Sequence, residues 1–488
     1  MIKHLLKTVI QSYRIQTIVI VIAAASIYIM LSNKLIHYGT LNADEGFYAL
    51  AAKKVMKGSI PYRDFAYSRM PALPYINGLA MSIAGFGFVR QRLVNAVWGM
   101  LALGILVIPG IRYGKYRSWI WGVLAVTVSP LWMHYICMGK SYSAANLFLI
   151  IAVLGIFLDG PFPVRLLLAA GGGILAVGCR LSVLPAVIIL WGVFFIGTGS
   201  RKEKGITLGS IIAGAAALFL PFYFAAPENF SFWNLHYHLQ STFNRRGLEP
   251  LLEVFHISPI VVIIIVVGVV YSFLNVKNSK VQTGGVLLAA WIGIIFQLCL
   301  KSSYGENVVP FIAMGSIASL SVIQSEKWLF WIKIGVVISP GVYLFLDGPD
   351  TSQKWSDIVT EPAAYIRANT DREGKILTPF PLIAVEADRE VFKRVEMGKF
   401  AVTLEMDKAR AERLHLLTFE ELLQIIEERE PAAIVLTKSA SSWNFNWSVP
   451  SLQSVPKGKG MLFYRSIMQK YSVVFENQIF RIMVPVKE

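Results

Sequence analysis

Long apolar runs broken by short polar stretches occupy the first 346 positions of the chain. A helix that crosses a bilayer needs about 20 mostly apolar residues. Eleven segments approach that pattern: 15–33, 93–111, 118–136, 144–158, 166–179, 181–198, 206–226, 257–274, 283–300, 308–324 and 328–346. The segment 71–88 (PALPYINGLAMSIAGFGF) is also apolar, but Pro71, Pro74, Asn77 and its glycines predict a helix that lies at the interface or re-enters. Basic residues precede the first run and no small-residue cleavage site follows it, so this run is expected to be a retained helix and not a signal peptide.

After residue 346 the pattern shortens. PAAYIRANT and FEELLQIIEERE read as amphipathic helices. KILTPF, AAIVLTK, SVVFE and IFRIMVPV read as short strands. The alternation predicts a small α/β unit, and no Gly-rich phosphate loop opens any of its helices. The expected organisation is a polytopic α-helical membrane part over 1–346, with a first outer loop at 37–92 carrying juxtamembrane helices. A soluble α/β domain over 347–488 would follow on the extracytoplasmic side. No internal repeat or low-complexity tract interrupts this plan.

Composition agrees with that reading. The 488 residues are 55% hydrophobic and only 16% charged, with mean hydropathy +0.56. A soluble domain carries about a quarter charged residues. The net charge of +16 raises a nucleic-acid reading, which its distribution removes. Residues 1–346 hold 27 basic and 10 acidic side chains, whereas 347–488 hold 19 and 20. The excess therefore sits in the membrane part, as for cytoplasmic loops of membrane proteins. Eleven spans with the N-terminus inside place 14 of those 27 cations on the inner side. Eight others, from Lys34 to Arg92, fall in the first outer loop and run against the rule. Most of the membrane part's acids are expected outside too, so the first loop reads as a site and not as a topology signal. The three cysteines, Cys137, Cys179 and Cys299, support no disulfide or zinc pattern and are expected to be small buried hydrophobes.

Three groups of residues could carry chemistry. The first is N-A-D-E-G-F-Y at 42–48, where Asp44 and Glu45 sit at a membrane edge. Carboxylates beside hydrocarbon are costly and often functional, while a helix N-cap is the plainer alternative. Adjacent on a helix, the two would point in different directions. The second is G-S-I-P-Y-R-D-F-A-Y-S-R-M-P-A-L-P-Y at 58–75. Gly58 and Pro61 end the preceding helix. Arg63, Asp64 and Arg69 then alternate with aromatics in a way that suits a lipid phosphate and a sugar, or an ordinary interfacial belt. The third is scattered over loops expected on the outer side: Lys140, Arg180, His236, His238, Arg245, Arg246 and Lys301, the last near Tyr304 and Glu306. Arg180 interrupts an apolar stretch, where a central arginine costs about 2.5 kcal/mol or more. It is expected to be paired or to bind an anion. If 236–238 were extended, His236 and His238 would share one side, which is a weak metal signal.

These residues resemble a known family. D-E-G-F-Y-A-L-A-A-K-K-V-M-K-G-S-I-P-Y-R-D-F, then R-x-P-x-L-x-Y and V-R-Q-R-L-V-N, is similar to the first outer loop of polyprenyl-phosphate-sugar-dependent glycosyltransferases of the GT-C fold. The nearest of these are bacterial relatives of the dolichyl-phosphate-mannose protein mannosyltransferases and of the lipid A aminoarabinose transferase. The likeness extends to the G-C-R segment at Arg180, W-N-L-H-Y-H, Y-G-E-N-V-V-P and the trailing α/β unit with A-Y-I-R-A-N-T. Two departures stand out. Arg69 falls where the family often has Lys or His before a Pro-Pro pair, here Met70-Pro71. Glu306-Asn307 stands where relatives often have His-Tyr.

The resemblance implies a GT-C-like membrane glycosyltransferase in the plasma (cell inner) membrane. Asp44 would be the loop acid that acts as base or orients the acceptor, with Glu45 beside it. Arg63, Arg69, Arg180, His238 and Lys301 would hold donor phosphate or sugar. The donor would be a sugar on a polyprenyl phosphate, and the acceptor a protein, a glycolipid or a cell-wall glycan, with no nucleic-acid partner. A divalent cation is left open, with Asp44, Glu45 or the histidines as contacts. The rival class is a transporter or flippase of a lipid-linked substrate, which would place ionisable groups at the bilayer midplane and repeat one half in the other.

Overall fold

The computed structural model describes residues 2–112, 118–240, 249–274, 281–300, 304–323, 326–346, 351–404, 406–438 and 457–486. Lys301, Arg245 and Arg246 lie outside these residues.

The chain begins with α1 (Ile2–Tyr38), the loop helices α2 (Asp44–Met56) and α3 (Ala72–Ala84), and α4 (Phe88–Arg112). Helices α5 (Ser118–Thr127), α6 (Pro130–Cys137) and α7 (Tyr142–Phe157) follow. Next come α8 (Phe162–Leu166) and α9 (Gly172–Cys179), joined by a π-helical turn, then α10 (Leu184–Gly197) and α11 (Arg201–Ala225). The short α12 (Pro227–Ser231), α13 (Tyr237–Gln240) and α14 (Glu249–Ile257) lead into α15 (Pro259–Leu274), α16 (Val281–Cys299), α17 (Val309–Val322) and α18 (Glu326–Leu346).

All eleven expected apolar segments are helical, but they are unequal. Among the described residues six helices are long and apolar enough to cross a membrane, or eight if each of two bent pairs counts as one span. The bent pairs are α5–α6, at 68°, and α14–α15, at 110°. Tyr142–Phe157, Leu181–Gly197 and Trp328–Ile338 are shorter apolar helices. α3 has 13 residues and so reaches about 20 Å, less than the ~30 Å of hydrocarbon. That fits the interfacial expectation for 71–88. Cys137 and Cys179 are buried as expected, whereas Cys299, at the end of α16, is exposed.

The two bends support each other. Pro130 and Pro259 each open the second helix of a pair, which leaves backbone donors without an intrahelical acceptor. Ser129 Oγ accepts from the Trp132 N–H, and Ser258 Oγ accepts from the Leu131 N–H at 3.1 Å. The two hydroxyls lie 3.0 Å apart, both buried. Polar groups in this setting must find partners within the protein, and the second break supplies one to the first through Ser258 Oγ.

The C-terminal segment folds as the short strands predicted. β1 (Ile376–Leu377), β4 (Ala433–Thr437), β5 (Tyr471–Glu476) and β6 (Phe480–Pro485) form one sheet in the order β1-β4-β6-β5. β1 pairs parallel with β4, and the other pairings are antiparallel. β2 (Val402–Thr403) and β3 (Leu417–Thr418) make a separate parallel pair. Around them stand α19 (Trp355–Asn369), α20 (Pro381–Glu386), α21 (Lys408–Arg413), α22 (Phe419–Glu427) and α23 (Lys457–Lys470). α22 carries a capping box between Thr418 and Glu421, which explains its start.

This unit docks on α2. Lys53 pairs with Asp388 at 2.7 Å, Lys54 with Glu396 at 2.8 Å and Lys57 with Glu390 at 2.5 Å. Three of the first-loop cations that were expected to run against the topology rule are therefore spent on the acids of E-A-D-R-E-V-F-K-R-V-E. The Lys57 pair is exposed on both sides and contributes little, about 0–1 kcal/mol. Glu396 is only 6% exposed, so the Lys54 pair is the one whose loss strands a charge. Between these contacts Gly46 faces α20, and a Cβ there would lie 2.7 Å from the Leu382 nitrogen and 3.0 Å from Pro381. Gly46→Ala is therefore expected to force the two apart at a cost of about 1–3 kcal/mol. Thermal unfolding in detergent checks this, and an unchanged midpoint would show that the docking is looser than described.

Candidate active site

The loop helix α2 starts with its two acids in different surroundings. Glu45 is fully buried and every oxygen is used. Arg92 donates to Oε2 through Nε at 2.8 Å and to Oε1 through Nη2 at 2.7 Å. The Gly139 and Asn42 N–H groups donate at 2.9 and 3.1 Å. The remaining Arg92 donors reach the Leu35, Gly39 and Thr40 carbonyls at the end of α1. Burial raises the Glu45 pKa, but Arg92 and the backbone donors outweigh it and hold it below the usual glutamate value.

Asp44 points elsewhere. Asn42 Oδ1 accepts the Asp44 N–H at 3.0 Å, so Asn42 and Glu45 do the capping and the Asp44 carboxylate is left over. Its side chain is 18% exposed. Lys140 Nζ stands 3.8 Å from Oδ2 and Lys399 Nζ 3.5 Å from Oδ1. Oδ1 is nevertheless buried without a hydrogen-bond partner. Burial pushes its pKa up; Lys140, Lys399 and Arg69 overcome that and hold it below the ordinary 3.8.

The cations come from five places in the chain. Lys140, between α6 and α7, is 4% exposed and is held by both Glu306 oxygens at 3.0 and 3.1 Å. Arg180, in the break after α9, reaches Ser141 Oγ at 3.1 Å and Asn307 Oδ1 at 2.6 Å. Its guanidinium lies 4.5 Å over the Tyr142 ring, and its Nε is buried and unpartnered. Arg69 donates to Tyr48 Oη and to the Ser68 carbonyl, both at 2.9 Å. Neither Arg69 nor Arg180 has a carboxylate within ion-pair distance among the described residues. Arg92 and Lys399 complete the set.

The expected residues thus divide. Asp44, Arg69, Lys140, Arg180, His238 and Glu306 converge at one end of the bundle. His238 Nε2 lies 3.3 Å from Arg69 Nη1 and 3.1 Å from the Ser68 carbonyl. The segment 232–240 is helical, with a π turn at Phe232–His236, and not extended. His236 and His238 consequently point apart, which corrects the shared side expected from alternation. Arg63 is bound to its neighbour Asp64 at 2.8 and 2.9 Å on the exposed rim, and no contact joins it to Asp44, Arg69 or Arg180 among the described residues. Among the described residues no three His, Cys, Asp or Glu side chains gather to hold a metal. Asp44 faces cations on every side, so this arrangement does not fit a divalent ion.

Two contributors had no local signal. Arg92 sits in V-R-Q-R-L-V-N as a plain helical cation. Lys399 lies some 350 positions beyond Asp44 in sequence. Glu306 and Asn307 looked like departures from a motif; in the structure they hold Lys140 and Arg180.

No family model and no curated protein matches the sequence. Structure does find neighbours. The chain is similar to ArnT from Cupriavidus metallidurans in the apo state, with TM-score 0.64 and 12% identity, over 96% of this chain and 98% of that one. It is similar to ArnT bound to undecaprenyl phosphate with TM-score 0.63 and 11% identity, over the same shares. The chain has the GT-C fold. The GT-C likeness covers the α/β unit as well as the bundle, since almost the whole of both chains aligns. At this identity a shared fold carries no residue roles with it.

The two carboxylates of this GT-C chain are expected to behave differently. Glu45→Gln leaves Arg92, 1% exposed, without its counter-charge and is expected to cost about 3 kcal/mol or more. Asp44→Asn removes a carboxylate held only by two lysines at 3.5 and 3.8 Å and is expected to cost less than Glu45→Gln. Thermal unfolding of both variants checks the contrast. Both carboxylates are depressed, so their stabilisation is complete above the ordinary carboxylate range and disappears as pH falls through their lowered values.

Proposed function

We propose that the protein is a membrane glycosyltransferase that moves a sugar from a polyprenyl-phosphate donor to an acceptor at the outer membrane face. The observation that carries the reading is the pairing of an unsatisfied carboxylate with cations that lack carboxylate partners. Buried polar groups are nearly always hydrogen-bonded, and Asp44 Oδ1 and Arg180 Nε are not. Both belong to the same cluster. The fold agrees, and the neighbour ArnT has been captured with undecaprenyl phosphate. No charged group of this cluster occupies the middle of a long span, which disfavours the transporter reading.

In this mechanism an acceptor hydroxyl or amine attacks the anomeric carbon. The new bond forms as the bond from that carbon to the donor phosphate oxygen breaks, and polyprenyl phosphate leaves with the electron pair. Asp44, ionised at neutral pH, takes the nucleophile's proton or orients it. The departing phosphate is already an acceptable leaving group, so no protein acid is required. Its developing charge is met by Arg69 and Arg180, with Lys301 as a further candidate. Arginine suits this work because its fork binds two phosphate oxygens at once. Tyr48, Phe47 and Tyr142 brace the arginines and fix where their guanidinium groups lie. Glu45 serves as the anchor of α2 and not as a second base. The N-terminus would be cytoplasmic and the α/β unit extracytoplasmic, in the plasma (cell inner) membrane.

The test is transfer of labelled sugar from a panel of polyprenyl-phosphate sugars to membrane extract by the reconstituted protein. Asp44→Asn is expected to lower transfer by about 10²-fold or more. Equal transfer by this variant would overturn the assignment. Arg69→Ala and Arg180→Ala are expected to raise the donor KM. Because Asp44 is held below 3.8, the acid limb of the rate profile should fall below that pH.

A further inference from the structure

The C-terminal unit does more than cap the bundle: it delivers a charge to the site. We propose that Lys399 is a positioning residue that completes the acceptor side, holding Asp44 ionised and occupying its Oδ1 until the acceptor arrives. The inference rests on the glycosyltransferase reading for its purpose, but its geometry stands apart.

Asp44 has two lysine neighbours of different kinds. Lys140 is a fixed charge, 4% exposed and gripped by both oxygens of Glu306. Lys399 is 37% exposed and its only carboxylate within ion-pair distance among the described residues is Asp44. It stands at 3.5 Å from Oδ1, the oxygen that lacks a hydrogen bond. An ammonium at that distance contributes charge without a formed hydrogen bond, and its long stem can swing to solvent.

The backbone that carries Lys399 is held on both sides. Glu396, three residues earlier, pairs with Lys54 of α2 at 2.8 Å. Gly398 has φ +56°, and a Cβ there would meet the Pro379 carbonyl at 2.6 Å and Pro381 at 2.8 Å. Only glycine suits that turn. Phe400, one residue later, packs edge-on against Tyr237 at 6.3 Å, and the Lys399 ammonium lies 4.8 Å over the Phe400 ring. The backbone of the turn is fixed by these contacts, while the Lys399 side chain is partly exposed. Such an arrangement places a removable cation over a catalytic carboxylate only when the α/β unit is docked on α2.

The groups facing Asp44 are Lys140, Arg69 and Lys399, with Tyr237 behind Arg69 and Glu306 behind Lys140. Removing Lys399 leaves the burial of Asp44 opposed by two cations instead of three. The carboxyl pKa should then rise. The acceptor, relieved of a competitor and facing a more basic carboxylate, should change in KM while the donor does not.

Three forms of the full-length protein in nanodiscs test this: wild type, Lys399→Met and Lys399→Arg. Asp44 ionisation is read by infrared titration, with Asp44→Asn as the blank, and transfer is read as separate donor and acceptor KM values. We expect Lys399→Met to raise the Asp44 titration midpoint and to alter the acceptor KM at least threefold. Lys399→Arg should restore both. An unmoved midpoint in Lys399→Met overturns the inference whatever the activity. A moved midpoint in a wild-type protein that transfers no sugar overturns the transferase reading instead. A lowered unfolding temperature with neither the midpoint nor the acceptor KM changed would make Lys399 merely structural, and it too overturns the inference.

Discussion

The buried pair of Glu45 and Arg92 holds one end of the molecule together. Arg92, in the first turns of α4, binds both carboxylate oxygens and also reaches three carbonyls at the end of α1. Glu45 in turn accepts from Gly139, in the loop before α7. One ion pair therefore joins α1, α2, α4 and the 138–141 loop. A bare buried charge would be untenable, and so would three unpaired carbonyls at a helix end; each solves the other's problem. The position of Lys140, next to Gly139, follows directly. So does the outward aim of Asp44, the residue before Glu45.

A second constraint is the shortage of water inside a membrane protein. The bends at Pro130 and Pro259 meet at Ser129 and Ser258, where Ser258 Oγ accepts a backbone N–H that the first bend leaves without an intrahelical acceptor. At the site the same rule is deliberately left unfulfilled. Glu306 and Asn307 satisfy most of what Lys140 and Arg180 need, yet Asp44 Oδ1 and Arg180 Nε remain without partners. Both atoms lie where charged groups from distant parts of the chain converge.

The basic first loop acquires a different meaning from the fold. Its cations look like a violation of the charge rule for membrane loops. Lys53, Lys54 and Lys57 instead meet Asp388, Glu396 and Glu390 across the interface with the α/β unit, and Arg92 meets Glu45. Charges that are matched by protein carry little topological information. Arg63, with the same composition around it, is matched by its own neighbour Asp64 and plays no part in the cluster.

The apolar runs, the shift in character near residue 346 and the four main strands were all legible in the sequence. Each depends on local periodicity or composition, which a linear reading preserves. The same holds for Arg69, Arg180 and Lys140, since a cation stranded in apolar sequence has to be accounted for. What the sequence could not decide is who faces whom. Two adjacent acids look equivalent until one is turned into the bundle toward Arg92 and the other toward solvent. His236 and His238 depend on whether their segment is extended or helical. Lys399 has no motif, and its place beside Asp44 exists only because Gly46 and Gly398 let two distant stretches approach within contact distance. Burial and long-range pairing are properties of the packed chain, and the roles of these residues follow from them alone.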